Sequence, residues 1–238
     1  MTECVERVQR AAPAVMADGR TLRSDYFTGL DVGQVRDPSA LAVVEWAEET
    51  GEWDAATYAY QKRTVLRLRY LERAPLGMPY PELAERAGRV ACSGGMDGGR
   101  HLVVDATGVG RPVVDLLKMQ RMPWRLWPVV ITGGHSVGWS DGCHTVPKRD
   151  LIVGLQVLLQ RGRLQVASGM REWPALVREL GEMRVKVSGA GREQFAVWRD
   201  GEHDDLVLAV ALACWAAGRA NPESGGHVGF VQRQLLSY

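Results

Sequence analysis

Three apolar runs in this chain end at, or start from, a carboxylate, and any fold it adopts has to accommodate all three. They are Gly29-Leu30-Asp31-Val32-Gly33, Leu102-Val103-Val104-Asp105-Ala106-Thr107-Gly108 and His203-Asp204-Asp205-Leu206-Val207. Short Val-rich strands of this kind are buried on both faces, and α/β sheets gather their chemistry at the carboxyl ends of such strands. The expectation is a sheet that brings the three acidic ends to one edge. Each segment also has a plainer explanation when taken singly. Asp31 suits an Asp-x-Gly turn, Asp37 precedes Pro38 in another, and Asp204 or Asp205 suits the cap or first turn of a helix. Capping accounts for one of two adjacent aspartates more readily than for both.

The surrounding pattern says what kind of sheet this is. Residues 26–32, 40–46 and 55–67 read as strands, with Glu49-Thr50-Gly51-Glu52 as the hairpin turn between the last two. Helical and strand patterns then alternate. Pro79-Tyr80-Pro81 opens a helix to about Val90, residues 101–105 form a strand, and 112–120 a helix. A strand follows at 125–132, then helices at 147–160 and 173–183. A hairpin of 184–187 with 194–198 precedes a helix at 204–219. Three antiparallel strands followed by βαβ units make an α/β fold, a ribonuclease-H-like mixed β-sheet flanked by helices on both faces. With 238 residues and 46% hydrophobic content there is enough apolar material for one large domain. The expected division is a linker or N-terminal extension at 1–24, the domain at 25–220, and a flexible C-terminal tail at 221–238.

Carboxylates gathered at one point repel each other unless a cation lies between them. Hard oxygen donors favour Mg²⁺ or Mn²⁺ over zinc, and two such ions about 4 Å apart are the usual means of hydrolysing a phosphodiester. Rival chemistries find less support. Gly108-Val109-Gly110 lacks the third glycine of a dinucleotide fingerprint, and no Walker A sequence occurs, which argues against ATP hydrolysis. The four cysteines form no CxxC pair, which fits a reducing compartment, and no apolar run is long enough to span a bilayer. Net charge is only +1, so contact with nucleic acid would need a local basic patch. The candidates are Lys148 and Arg149 at a helix start, and Arg184 and Lys186 on one face of a strand; each pair is equally a solvated surface. The Gly-rich stretch 133–144 reads as a long loop that either closes over substrate or simply moves.

Taken in order, these segments resemble the nuclease domain of the large terminase subunit of tailed bacteriophages. The resemblance runs over about residues 26–217. It is carried by Gly29-Leu-Asp-Val-Gly with Asp37, Val103-Val-Asp-Ala-Thr-Gly-Val-Gly, Ile131-Thr-Gly-Gly, Val146-Pro-Lys-Arg-Asp-Leu-Ile and Gly201-Glu-His-Asp-Asp-Leu-Val. It implies a metal-dependent endonuclease that cuts concatemeric viral DNA during genome packaging in the host cytoplasm. The metal positions fall on Asp31, Asp105 and Asp205, with Asp204 and Asp37 as accessory ligands for two Mg²⁺ or Mn²⁺ ions. The implied partners are double-stranded DNA, a packaging ATPase domain, a small terminase subunit and a portal, with no membrane. Large terminases carry a Walker A loop that is absent here, so translocation is not ascribed to this chain. Three alternatives stay open: a Holliday-junction resolvase of related fold, a non-catalytic docking module of the packaging motor, and a sugar-kinase or actin-like ATPase.

Overall fold

A computed structural model describes residues 21–33, 37–167, 169–187, 193–197 and 203–221; at 184–187 and 193–197 it describes the backbone. The first three strands are β1 (Thr21–Asp31), β2 (Ala40–Asp54) and β3 (Ala59–Arg73). Helix α1 (Tyr80–Ala91) leads to β4 (Gly99–Asp105), and α2 (Gly110–Met119) leads to β5 (Arg125–Thr132). A small hairpin, β6 (Gly138–Ser140) and β7 (Cys143–Pro147), precedes α3 (Lys148–Gln160). Then come β8 (Leu164–Val166), α4 (Trp173–Glu182), β9 (Met183–Val187), β10 (Glu193–Val197) and α5 (Asp205–Ala220).

Eight strands form one mixed sheet in the order β6-β7-β5-β4-β1-β2-β3-β8, and β9 and β10 pair antiparallel beside it. The antiparallel β1-β2-β3 meander and the parallel β1-β4-β5-β7 run meet at β1. Strand alternation then sorts the side chains into two cores. Leu30, Leu41, Leu102 and Val104 pack with α1 and α2 on one face. Phe27, Ala42, Val44, Val103 and Val129 pack with α3, α4 and α5 on the other. The ribonuclease-H-like layout expected from the sequence is the one observed.

Helix α5 lies directly over β1, and the sequence explains how. It is built from Leu, Val, Ala, Cys and Trp, and its residues 205–217 are all buried. At Gly29 an added Cβ would fall 2.0 Å from the Ala209 carbonyl oxygen. A side chain there has no room, so glycine on the strand and small residues on the helix let the two backbones close up.

Several local features differ from expectation: β3 runs on to Arg73, six residues past the expected end, and β8 was not expected at all. The hairpin turn is not at Gly51 but at residues 55–58, so β2 runs to Asp54 and β3 begins at Ala59. Asp54 makes the turn: its carboxylate accepts the Ala56 N–H and the Thr57 hydroxyl, each at 2.9 Å, and Tyr58 takes φ 51°. Gly51 marks a register slip between Thr50 and Trp53 instead. The Gly-rich stretch 133–144 is not one long loop, because β6 and the start of β7 form an edge hairpin within it. Finally, β1 starts at Thr21, five residues ahead of the expected strand, because it pairs with β2 as far out as Glu49.

Candidate metal centre

Asp31 and Asp105 end adjacent parallel strands. The β1–β4 register runs to Leu30 opposite Val104, so the two aspartates stand one residue beyond it on neighbouring strands about 5 Å apart. By alternation they share the face of Phe27 and Val103, which is the face covered by α5. Asp205 is the first residue of α5, and Asp204 precedes it. Asp31, Asp105 and Asp205 are all buried. Together with Asp204, Asp37, His203, Thr107 and Val109 they line one cleft of about 390 Å³. The close packing of α5 on Gly29 is what brings the third acidic segment to the first.

Each carboxylate has a different environment. Burial, followed by repulsion from Asp105, Asp204 and Asp205, pushes Asp31 well above the usual carboxylate range, and Lys148 opposes this. Asp105 is raised by burial, while hydrogen bonds from Thr107 and the charge of Lys148 pull the other way. One of its oxygens accepts the Thr107 N–H at 2.8 Å, and the Thr107 hydroxyl accepts the Ile131 N–H at 2.9 Å. This pins the Asp105 loop to β5. The loop also needs Gly110, where a Cβ would fall 1.8 Å from the Asp105 carbonyl oxygen. Asp205 is raised by burial, with Arg73 opposing.

The plainer explanation of the Asp204-Asp205 pair holds only for position: Asp205 lies in the first turn of α5 and Asp204 at its N-cap, but Asp204 makes no side-chain capping bond. It accepts instead from the Lys148 ammonium at 2.5 Å. Lys148, one of the expected phosphate contacts, is therefore spent on the acid cluster. Asp37 is largely exposed at the cleft rim, with His203 Nδ1 3.8 Å from its carboxylate. Arg149 follows Lys148 in the first turn of α3. Arg184 and Lys186 alternate along β9, with side chains outside the described residues.

Two members of the site lie outside the set expected from the sequence. Arg73, at the end of β3, donates from Nε to Asp205 at 2.8 Å. Its terminal nitrogen pairs with Glu179 of α4. Glu179 is buried, and its other oxygen accepts the Val207 N–H at 3.1 Å, so α4 caps α5. Burial and then repulsion from Asp205 push Glu179 up to about 8. One guanidinium divided between two carboxylates offsets only part of that.

The donor set of Asp31, Asp105, Asp204 and Asp205 is all oxygen, buried and mutually repelling, which fits a hard divalent cation. Among the described residues no three acidic, histidine or cysteine groups already stand at ligand geometry. Asp204 is turned to Lys148, so closing around an ion requires that side chain to turn inward.

A mixed sheet with an antiparallel meander, acids at the ends of its two central parallel strands and a third acid on a covering helix defines a ribonuclease-H-like protein with a candidate metal centre. Solved structures bear this fold out. The large terminase nuclease of thermophilic phage G20c with bound magnesium superposes with a TM-score of 0.53 at 21% identity, over 82% of this chain and 83% of that one. The human cytomegalovirus terminase nuclease domain, soaked with manganese and holding an inhibitor, gives 0.54 at 10% identity, over 90% and 93%. This chain therefore has the fold of large terminase nuclease domains. No family model and no curated protein sequence matches it. Among the described residues no helix is long and apolar enough to cross a membrane.

Proposed function

We propose that this chain is a metal-dependent DNA endonuclease of the terminase type, which cuts concatemeric viral DNA during genome packaging. The observation that carries the reading is the convergence of Asp31, Asp105, Asp204 and Asp205 on one cleft, from three elements far apart in sequence. Support comes from the shared fold, whose solved examples include a magnesium-bound and a manganese-soaked nuclease. In this reading Asp31, Asp105 and Asp205 hold two Mg²⁺ or Mn²⁺ ions, with Asp204 and Asp37 assisting. Bound ions of this kind activate a water and stabilise the leaving oxygen of a phosphodiester.

The chain's own residues do the rest. The Thr107 N–H keeps one oxygen of Asp105 fixed, which leaves the other for the ion. Lys148 neutralises Asp204, and with Asp204 holding an ion it would be free to meet a DNA phosphate. Arg149, Arg184 and Lys186 complete the proposed DNA contact. The partners follow from the same reading: double-stranded DNA, a packaging ATPase domain, a small terminase subunit and a portal, in the host cytoplasm. The residues ahead of β1 act as the linker to the motor, and those after Asn221 as a tail.

The test is cleavage of supercoiled plasmid by the purified chain with Mn²⁺, Mg²⁺ or EDTA, beside Asp105→Ala. Metal-dependent nicking and linearisation that the variant lacks supports the reading. Cleavage that survives Asp105→Ala refutes it. A folded chain inert with every metal supports the docking role instead.

A further inference from the structure

Asp205 differs from the other acids of the cleft in being held by a closed ring of contacts. Arg73 Nε donates to Asp205 Oδ2 at 2.8 Å, and Nη2 lies 3.4 Å from Oδ1. Nη2 also pairs with Glu179, whose second oxygen accepts the Val207 N–H. Val207 and Asp205 both belong to the first turn of α5, so the ring begins and ends on that turn. It holds the carboxylate and the backbone that carries it. The sheet end of the ring is equally defined. Arg73 pairs with Ala40 and Ala40 with Asp31, so Arg73 stands on the same rung as Asp31, two strands away.

From this geometry we infer that Arg73 and Glu179 are positioning residues, which set Asp205 at its working distance from Asp31. The inference rests on the metal-nuclease reading above. Arginine suits the task because its planar fork meets two acidic side chains at once, whereas the ammonium of lysine is a single point charge. Partners that orient a metal ligand from behind matter nearly as much as the ligand, and their loss costs about 10–100-fold in metal affinity or activity.

The experiment is Mn²⁺ titration by calorimetry without DNA, together with steady-state plasmid cleavage, for the unaltered chain, Arg73→Ala, Arg73→Lys, Glu179→Gln and Asp205→Asn. Arg73→Ala is expected to weaken Mn²⁺ binding by about 10–100-fold and to lower kcat, with KM for DNA unchanged. Arg73→Lys recovers part of the affinity, and Glu179→Gln shifts it in the same direction as Arg73→Ala. If Arg73→Ala does not fold, Arg73→Lys and Glu179→Gln carry the test. Unaltered Mn²⁺ affinity in the folded Arg73 and Glu179 variants, while Asp205→Asn loses binding, overturns the inference and leaves the nuclease reading intact. Failure of the unaltered chain to bind Mn²⁺ or cleave overturns both.

Discussion

Replacing Gly29 by alanine should separate stability from catalysis in a calculable way. The new Cβ falls 2.0 Å from the Ala209 carbonyl oxygen, where real contacts stop at about 3.0 Å, with the Ala209 carbonyl carbon at 3.0 Å and the Ala213 nitrogen at 3.1 Å. These are helix backbone atoms, which cannot swing aside as a side chain can. Helix α5 must back away from β1 by about 1 Å, or the strand must bend. Overpacking of this kind costs about 1–3 kcal/mol, which lowers the melting temperature of a domain this size by roughly 2–12 °C. The catalytic loss should be larger than that suggests, because α5 carries Asp204 and Asp205 while β1 carries Asp31. Misplacing reacting groups by about 1 Å costs about 100-fold in rate. Urea unfolding and Mn²⁺-dependent plasmid cleavage, measured well below the melting point, read the two effects separately. A folded Gly29→Ala chain with unchanged urea midpoint and unchanged cleavage rate would refute the account of how the site is assembled.

Lys148→Ala removes the cation from a half-buried pair with Asp204; the metal-free chain should lose about 1–2 kcal/mol, and Mn²⁺ should raise its melting temperature more than it does in the unaltered chain. An equal Mn²⁺ shift in both would show that Lys148 and the ion do not share a site. Stability of the metal-free chain should fall as pH rises from 4.5 to about 8, because the unfolded chain ionises Glu179 near 4.5 whereas the folded one keeps the proton up to about 8. The contribution is fully present below 4.5 and amounts to roughly 3–5 kcal/mol at most; a urea midpoint that is flat or higher at pH 8.5 than at 5.5 would count against the buried, shared arrangement of Glu179. Asp54→Ala should loosen the β2–β3 turn and lower the melting temperature slightly while leaving cleavage unchanged, since the turn lies at the end of the hairpin remote from Asp31. A loss of cleavage in a folded Asp54→Ala chain would show coupling along the hairpin.

The acidic positions were legible because each sits at the end of a strongly patterned element. The apolar run before Asp105 and the breakers after it mark a buried strand end in any context, and the expected 125–132 strand coincides with β5. The β2–β3 turn was misplaced for an instructive reason: glycine signals a backbone irregularity but not which one, and Gly51 serves a bulge while Asp54 builds the turn from its own hydrogen bonds. The hairpin inside 133–144 escaped because β6 has three exposed residues and no apolar period. Strand β8, also three residues long, owes its existence to pairing with β3 rather than to local pattern. Arg73 was missed because the expected strand stopped at 67, whereas β3 runs on to end at Arg73. Glu179 carried a usable signal, since it lies on the buried side of α4 with Trp173 and Leu176, where a carboxylate needs a partner. Which partner only the tertiary fold decides.

The burial of α5 between distant partners also has a consequence in time. Asp205 follows Asp31 by 174 residues, which at about 5–20 residues per second is about 9–35 s of synthesis. Until α5 arrives, Phe27, Ala42 and Val44 of β1 and β2 lack the helix that buries them in the folded chain. The growing chain therefore passes through an interval in which it is sticky and chemically inert at once. A chaperone that shields this face during translation would protect the yield of folded protein, and cutting competence would appear in a single late event when the helix docks.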